Sequence, residues 1–600
     1  MTINLEVLRE KYRAERDKRI RVEGIEQYIE PSGKFGYFMD DPYVKRVDRA
    51  PVDRVCEVAI VGGGFGGILT AAKLKDCGIN DLVIIEKGGG FGGTWYWNRY
   101  PGVACDMKAY VYLPLLEETN YIPPRNYASG DEIRAHAERI VSHWGLDAHG
   151  LFHTSVIRAE WQNDRARWRI STDRGDVIKA RWVITAHGPL SKPKLPGIRG
   201  IDLFKGHTFH TSRWDYEFTG GSSDGDLTGL AGKKVAIIGT GATAVQCVPH
   251  LAEHAAHLCV VQRTPSGVDE RAELPTDPEW VAGLEPGWQR DLMDNFNVLT
   301  SGGTAERDLI DDGWTFLFTK IQAAAKEAAG GGADPLTVML TAAELADAEK
   351  MEEIRARIDR VVRDPATAER LKPWYRRFCK RPVFHDGYLE TFNRDNVTLV
   401  DTEGRGVDEI TRDGLRVGDV HYPVDCIIFA SGFEVGTDYV RRAGYDIVGR
   451  SARSLQATWG EEFATLHGMH VNGFPNLFIH QNAQGALPAN FCHGLLENAK
   501  SIAAVIGHAR DTGTATVEVT PEAQAAWVQH CKDMASIQMG FFERCTPGYY
   551  NLEGKLTVEA AQGFGYGGGP AMFFQLIEGW RSEGSFAGLA FSPIAAATAD

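Results

Sequence analysis

Short apolar runs, each followed by a glycine-spaced turn and a helical stretch, set the pattern of the chain's first half. Residues 56–87 read CEVAIVGGGFGGILTAAKLKDCGINDLVIIEK. Val58–Val61 has the length and composition of a strand buried on both faces. A helical stretch then runs to Gly78, and a second apolar run, Leu82–Ile85, ends in Glu86. Residues 233–264, KKVAIIGTGATAVQCVPHLAEHAAHLCVVQRT, repeat the order with Val235–Ile238 and Leu258–Val261 as the strands. Two such strand–turn–helix–strand units predict an α/β chain with two Rossmann-like dinucleotide-binding domains. Elsewhere the period is helical. Met351, Ile354, Ile358 and Val361 share one face of a helix that stops before Pro365, and Leu5, Leu8 and Tyr12 share one side of an N-terminal surface helix.

The turns carry the first chemistry. Gly62, Gly64 and Gly67 fall on a Gly-x-Gly-x-x-Gly spacing, with Phe65 opening the helix. Such glycines make the tight turn, admit a pyrophosphate to the backbone and let the helix pack on the strand. The helix N-terminus supplies amides to the phosphates. Glu86, at the second strand's end, is placed to accept from ribose hydroxyls. In the second unit Gly239, Thr240, Gly241, Ala242, Thr243, Ala244 and Gln246 make the corresponding turn. Its second strand ends in Gln262-Arg263-Thr264 with no acid. A carboxylate would repel a 2′-phosphate, whereas Arg263 beside the Thr264 hydroxyl suits one. The first unit is therefore expected to bind FAD and the second NADPH. Hydride transfer from NADPH to a flavin follows, but not the fate of the reduced flavin.

Composition narrows the setting. Over 600 residues the chain is 43% hydrophobic and 24% charged, ordinary for a soluble protein, with a formal net charge of −15 that argues against a nucleic-acid surface. No apolar stretch is long enough for a membrane helix, and the N-terminus has no apolar core of a signal peptide. The ten cysteines form no Cys-x-x-Cys pair, which predicts reduced thiols in a cytoplasm, no disulfide framework and no metal site.

Two longer segments name a family. Phe204-Lys-Gly-His-Thr-Phe-His210-Thr-Ser-Arg-Trp214-Asp215 matches Phe-x-Gly-x-x-x-His-x-x-x-Trp-(Pro/Asp) at every fixed position. Gly92-Gly-Thr-Trp95-Tyr-Trp-Asn-Arg-Tyr100-Pro-Gly-Val-Ala-Cys-Asp106 matches (Ala/Gly)-Gly-x-Trp-x4-(Phe/Tyr)-Pro-(Gly/Met)-x3-Asp. In both the chain resembles the Baeyer–Villiger monooxygenases, class B flavoprotein oxygenases, and the resemblance extends from about residue 50 to 590. Residues 378–401, with Cys379-Lys380-Arg381-Pro382, resemble the family's Lys-Arg-Pro stretch. DCIIFASGFE at 425–434 resembles the strand end that returns the chain to the FAD domain, with Ser431 where Thr is usual.

The resemblance implies roles. Lys380 would contact the NADP 2′-phosphate, Arg381 would lie over the flavin, and Thr94, Trp95, Tyr112 and Val156 would make FAD contacts. The implied reaction inserts one oxygen atom of O2 beside a ketone carbonyl to give an ester or lactone. Its flavin peroxide nucleophile and tetrahedral alkoxide are both anionic, so a fixed cation beside the flavin stabilises both. Arg381 suits that role, with Asp106 paired to it. His210 reads as a positioning residue in the linker. Tyr549, Tyr550 and Asn551 stand where the family carries a mobile loop with Trp, and NAQGALPANF at 482–491 departs from the usual loop by the flavin. Both departures fall where substrate shape is read.

Expected boundaries are an N-terminal helical extension over 1–50 and a discontinuous FAD domain over 51–190 and 385–540. An NADPH domain over 191–384 carries a helical insert at 266–375, and 541–600 forms a C-terminal loop and tail. The extension and insert resemble the branch acting on steroid-like or large-ring, cyclopentadecanone-type ketones. The competing readings are an N- or S-oxygenating flavin monooxygenase, a flavin disulfide reductase, for which a redox cysteine pair is missing, and a non-catalytic nucleotide sensor. The expected partner is a small-molecule ketone, with no nucleic acid, membrane or obligate protein partner.

Overall fold

A computed structural model describes residues 3–328, 335–556 and 565–593. In chain order its main strands are β1 (Asp53–Val61), β2 (Leu82–Ile85), β3 (Gly150–Leu151), β4 (Val156–Gln162), β5 (Arg167–Thr172) and β6 (Val177–Thr185). Then follow β7 (His207–His210), β8 (Lys234–Ile238), β9 (His257–Gln262), β10 (Val397–Asp401), β11 (Cys426–Phe429), β12 (Ile447–Val448) and β13 (Leu477–Ile479). The first sheet runs β12-β4-β5-β6-β1-β2-β3, with β13 also pairing the far end of β6. β1, β2, β3 and the C-terminal half of β6 are parallel, while β5 is antiparallel to both neighbours. The second sheet, β10-β9-β8-β11-β7, is parallel throughout.

The parallel strands of both sheets are apolar on two faces, as their unbroken hydrophobic runs require. Val58, Ala59, Ile60, Leu82, Val83 and Ile84 are fully buried in the first, and Val235, Ala236, Ile237, Leu258 and Val260 in the second. Helix α1 (Phe65–Asp76) follows β1 and packs on α4 (Phe491–Asp511); α2 (Ala242–His254) follows β8.

One expected boundary is corrected. The chain does not rejoin the first sheet at 385, because β10 and β11 both belong to the second. The return comes at β12 and β13, after 425–434. The apolar runs of β10 and β11 look alike from either side, and only pairing with β8 and β9 assigns them.

The insert is helical, as its period requires. Its longest helix, α3 (Pro335–Val361), buries Met351, Ile354 and Ile358, with Val362 completing the face beside a half-buried Val361. Much of the preceding AAAKEAAGGGADP segment lies outside the described residues, as does part of the C-terminal tail. The N-terminal helix Leu5–Asp17 buries Leu8 and half-buries Leu5 and Tyr12. It docks on α3 through Arg9–Glu344 at 2.6 Å.

The cysteine expectation is corrected too. Cys379 and Cys545 form a disulfide across 166 positions, while the other eight cysteines are free. Local spacing reveals only neighbouring pairs, and this one exists because the C-terminal loop folds back on the Lys380–Arg381 segment. A cysteine pair is therefore present although no Cys-x-x-Cys spacing announces it. Both sulfurs are buried, with the pair serving as a tether between segments.

Candidate active site

The first turn is built by contact. Gly62 has φ +117°, and a Cβ there would strike the Ala186 carbonyl; one on Gly67 would strike the Gly62 carbonyl. Gly64 caps α1, and a Cβ there would lie 3.2 Å from Gly93 Cα, so only glycines let these two loops approach. Phe65, the first residue of α1, is buried. Glu86 stands buried at the end of β2, where Oε2 accepts from the Gly63 amide at 2.6 Å and Oε1 from Gly88 at 2.7 Å. A carboxylate offers about four lone-pair sites, leaving capacity for ribose hydroxyls. Val156 begins β4 within the apolar core on one face of the first sheet.

The second turn is more open. Gly239 has φ +121°, and a Cβ there would approach the Ala430 carbonyl to 2.5 Å. A Cβ on Gly241, which caps α2, would meet nothing within 4 Å, so free space faces the helix N-terminus, where a pyrophosphate would fit. Ala242 and Thr243 open α2, and Ala244 is fully buried beneath it. Thr240 donates to the Thr264 carbonyl at 2.7 Å, tying the turn to the end of β9. Gln246 joins the two units, accepting from Tyr100 at 2.8 Å and donating to the Ala104 carbonyl at 3.1 Å. These features fit two bound dinucleotides.

Between the turns the long motifs converge. Thr94 and Trp95 begin a short helical turn, Thr94–Trp97, and Trp95 Nε1 donates to the Tyr112 hydroxyl at 2.8 Å. Arg381 meets Asp106 through Nε–Oδ2 at 2.6 Å and Nη2–Oδ1 at 2.9 Å, a bidentate pair. Burial alone would lower the Arg381 pKa, but Asp106 more than offsets it and holds the value well above the usual range. The cation is permanent. Lys380, beside it, donates to the Pro547 carbonyl at 3.3 Å. Burial, and then Arg263, pushes its pKa down to about 8.

His210 is fully buried at the end of β7, with Nδ1 2.8 Å from the Ser212 hydroxyl. Burial, then Arg213, pushes its pKa down to about 3, so it is neutral at pH 7. Its strand pairs with β11, and Trp214, fully buried, donates to Thr219 at 3.0 Å.

Several residues at the site had no signal in the motifs. Tyr43, from the N-terminal extension, donates to the Trp97 carbonyl at 3.0 Å and accepts from the Trp214 amide at 3.1 Å, bridging both long motifs. Trp314, from the insert, donates to the Asp106 carbonyl at 3.0 Å, and its ring lies 5.0 Å from the Arg381 guanidinium. The insert therefore reaches the Arg381–Asp106 pair. Arg263 is paired with Glu553 at 3.1 Å and with Gln27 at 2.8 Å.

Two βαβ turns and a bidentate arginine–carboxylate pair fit a flavin- and pyridine-nucleotide-dependent oxidoreductase. Residues 59–282 match the family model described as pyridine nucleotide-disulphide oxidoreductase. The chain is 48% identical over 590 residues to neopentalenolactone D synthase of Streptomyces avermitilis, covering 98% of this chain and 99% of the relative. It is 47% identical over 582 residues to a Baeyer–Villiger monooxygenase of Streptomyces coelicolor, covering 96% and 95%. The solved polycyclic ketone monooxygenase of the fungus Thermothelomyces thermophila is 38% identical, with TM-score 0.90 over 98% of this chain and 99% of that one. Cyclohexanone monooxygenase from Rhodococcus is 27% identical, with TM-score 0.72 over 91% of this chain and 100% of that one. The chain belongs to the Baeyer–Villiger monooxygenases. It is an FAD- and NADPH-dependent enzyme that inserts oxygen from O2 beside a ketone carbonyl. These relatives lend nothing to an N- or S-oxygenating alternative. Among the described residues no helix is long and apolar enough to cross a membrane, and no group of side chains could hold a metal.

Proposed function

We propose that this enzyme converts bulky, polycyclic or large-ring ketones to lactones, with Arg381 and Asp106 as its catalytic pair. The bidentate contact between them is the observation that carries the assignment of residues. When bound, NADPH would supply two electrons and FAD would use them to activate O2, the source of the inserted oxygen atom. Arg381 holds a fixed positive charge where the attacked carbonyl oxygen becomes anionic. Asp106 fixes the plane of the guanidinium, and Trp314 holds Asp106 from behind. Lys380, Arg263 and Thr264 would hold the 2′-phosphate, and Gly241 would admit the pyrophosphate.

The substrate class rests on how much of this chain each solved relative matches, 98% for the polycyclic ketone enzyme and 91% for the cyclohexanone enzyme. The match is fuller with the polycyclic ketone enzyme than with the cyclohexanone enzyme, and the difference in TM-score, 0.90 against 0.72, goes with that coverage. The extension and insert reach the site through Tyr43 and Trp314. The test is conversion of a panel of ketones under ¹⁸O2. Labelled lactone from fused-ring or large-ring ketones is the expected result. Turnover of cyclohexanone with none of the large ketones would overturn the substrate class, and N-oxide or sulfoxide as sole product would overturn the reaction.

A further inference from the structure

The C-terminal loop places a carboxylate among the cations assigned above to the NADPH 2′-phosphate. Glu553 is 3% exposed. Its Oε2 is 3.1 Å from Arg263 Nη2, its Oε1 is 3.5 Å from Lys194 Nζ, and the Tyr28 hydroxyl donates to Oε1 at 3.1 Å. Lys380 adds a third cation within electrostatic reach and donates to the same loop at Pro547. Three cations thus surround one carboxylate. Both terminal nitrogens of Arg263 are engaged, Nη1 by Gln27 and Nη2 by Glu553.

The loop is constructed to deliver this side chain. Cys545 is tied to Cys379, the residue before Lys380. Asn551 accepts from the Gly548 amide at 2.9 Å and the Gly554 amide at 3.1 Å, and donates to the Cys545 carbonyl at 3.1 Å. Between them Leu552 and Glu553 sit at φ +51° and +57°, a region that non-glycine residues seldom occupy. Burial alone would raise the Glu553 pKa; Arg263, Lys194 and Lys380 overcome it and keep the carboxylate ionised.

We propose that Glu553 is an internal counter-anion that competes with the 2′-phosphate for Arg263 and Lys380 and so sets how tightly this site holds it. The proposal rests on the assignment of those two residues to the phosphate. A phosphate carries close to two negative charges and binds arginine through two oxygens, so it suits a three-cation cluster better than one carboxylate does. Both anions cannot share the cluster without strong repulsion at contact distance. Arrival of the phosphate therefore expels Glu553. A dinucleotide lacking the 2′-phosphate leaves it in place. The same loop carries Tyr549 and Tyr550, which lie within electrostatic reach of Arg381.

The test uses the FAD-loaded full-length protein and adenosine 2′,5′-bisphosphate, with 5′-AMP as the ligand lacking the 2′-phosphate. Isothermal titration calorimetry on Glu553→Gln is expected to show about tenfold tighter binding of the bisphosphate, one decade of affinity, and unchanged binding of 5′-AMP. Glu553→Asp keeps the charge and is expected to stay near the native affinity. In the unmutated protein the bisphosphate, but not 5′-AMP, is expected to speed tryptic cleavage after Lys555. This arm does not depend on the variant folding. Equal or weaker bisphosphate binding by Glu553→Gln, or cleavage at Lys555 indifferent to the bisphosphate, would overturn the proposal. Arg263→Gln separates it from its premise: undiminished bisphosphate binding there removes the phosphate assignment itself.

Discussion

Arg381 and Asp106, 275 positions apart, face each other through two parallel hydrogen bonds of 2.6 and 2.9 Å. The geometry fixes the guanidinium in a plane as well as supplying a countercharge. Asp106→Ala removes both. Lactone formation is expected to fall about 10²-fold, the scale of losing one preorganised electrostatic contact. Bound FAD and NADP⁺ affinity should change little. Product chromatography beside calorimetry checks this, and an equal loss of cofactor binding would assign Asp106 a structural role instead.

Trp314 ties the helical insert to that pair. Trp314→Phe keeps a ring beside Arg381 but removes the hydrogen bond to the Asp106 carbonyl, a net contribution of about 1 kcal/mol. More NADPH is then expected to end as hydrogen peroxide and less as lactone, with only a small loss of stability. The peroxide-to-lactone ratio is the readout. An unchanged ratio would make the insert a cap with no part in the chemistry.

The Cys379–Cys545 tether closes a long loop, and closure restricts the unfolded chain. Cys545→Ser is expected to lower unfolding free energy by about 2–5 kcal/mol, measured in urea without reductant. A reductant should bring the unmutated protein to the same midpoint. Identical midpoints for all three conditions would show that the tether contributes nothing.

Buried histidines set the acid limit. Burial pushes His136 and His467 down to about 4, and His210 and His470 to about 3, from an ordinary 6.5. As pH falls below 6.5 the unfolded chain takes up these protons first, so stability present above that value is lost toward pH 4. Asp312 and Asp347 act oppositely, since burial raises both to about 6 and their protonation favours the folded state as pH falls from 6 toward 4. The histidines outnumber them, so urea midpoints are expected to be lower near pH 5.5 than near pH 7.5. An equal or higher midpoint at the lower pH contradicts the assignment.

What could be read from the chain follows how local each feature is. Both nucleotide turns were legible because a strand, three small residues and a helix fit within 35 residues and leave a fixed spacing. The Arg381–Asp106 pair was legible only through family motifs, since nothing local joins residues so distant. Trp314, Tyr43 and Glu553 left no signal, because each acts only through contacts with residues distant in sequence. Local spacing cannot reveal the Cys379–Cys545 pair for that reason, and the expected return at 385 precedes the observed one because a buried parallel strand does not declare its partner.

The most direct measurement is the yield of lactone per NADPH consumed by Arg381→Ala, compared with the unmutated enzyme on a polycyclic ketone. The native enzyme is expected to approach one lactone per NADPH. The variant should still oxidise NADPH in the presence of O2 but release hydrogen peroxide in place of lactone. Lactone formed by the variant at the native rate and yield would contradict the claim that this arginine makes the site an oxygenase.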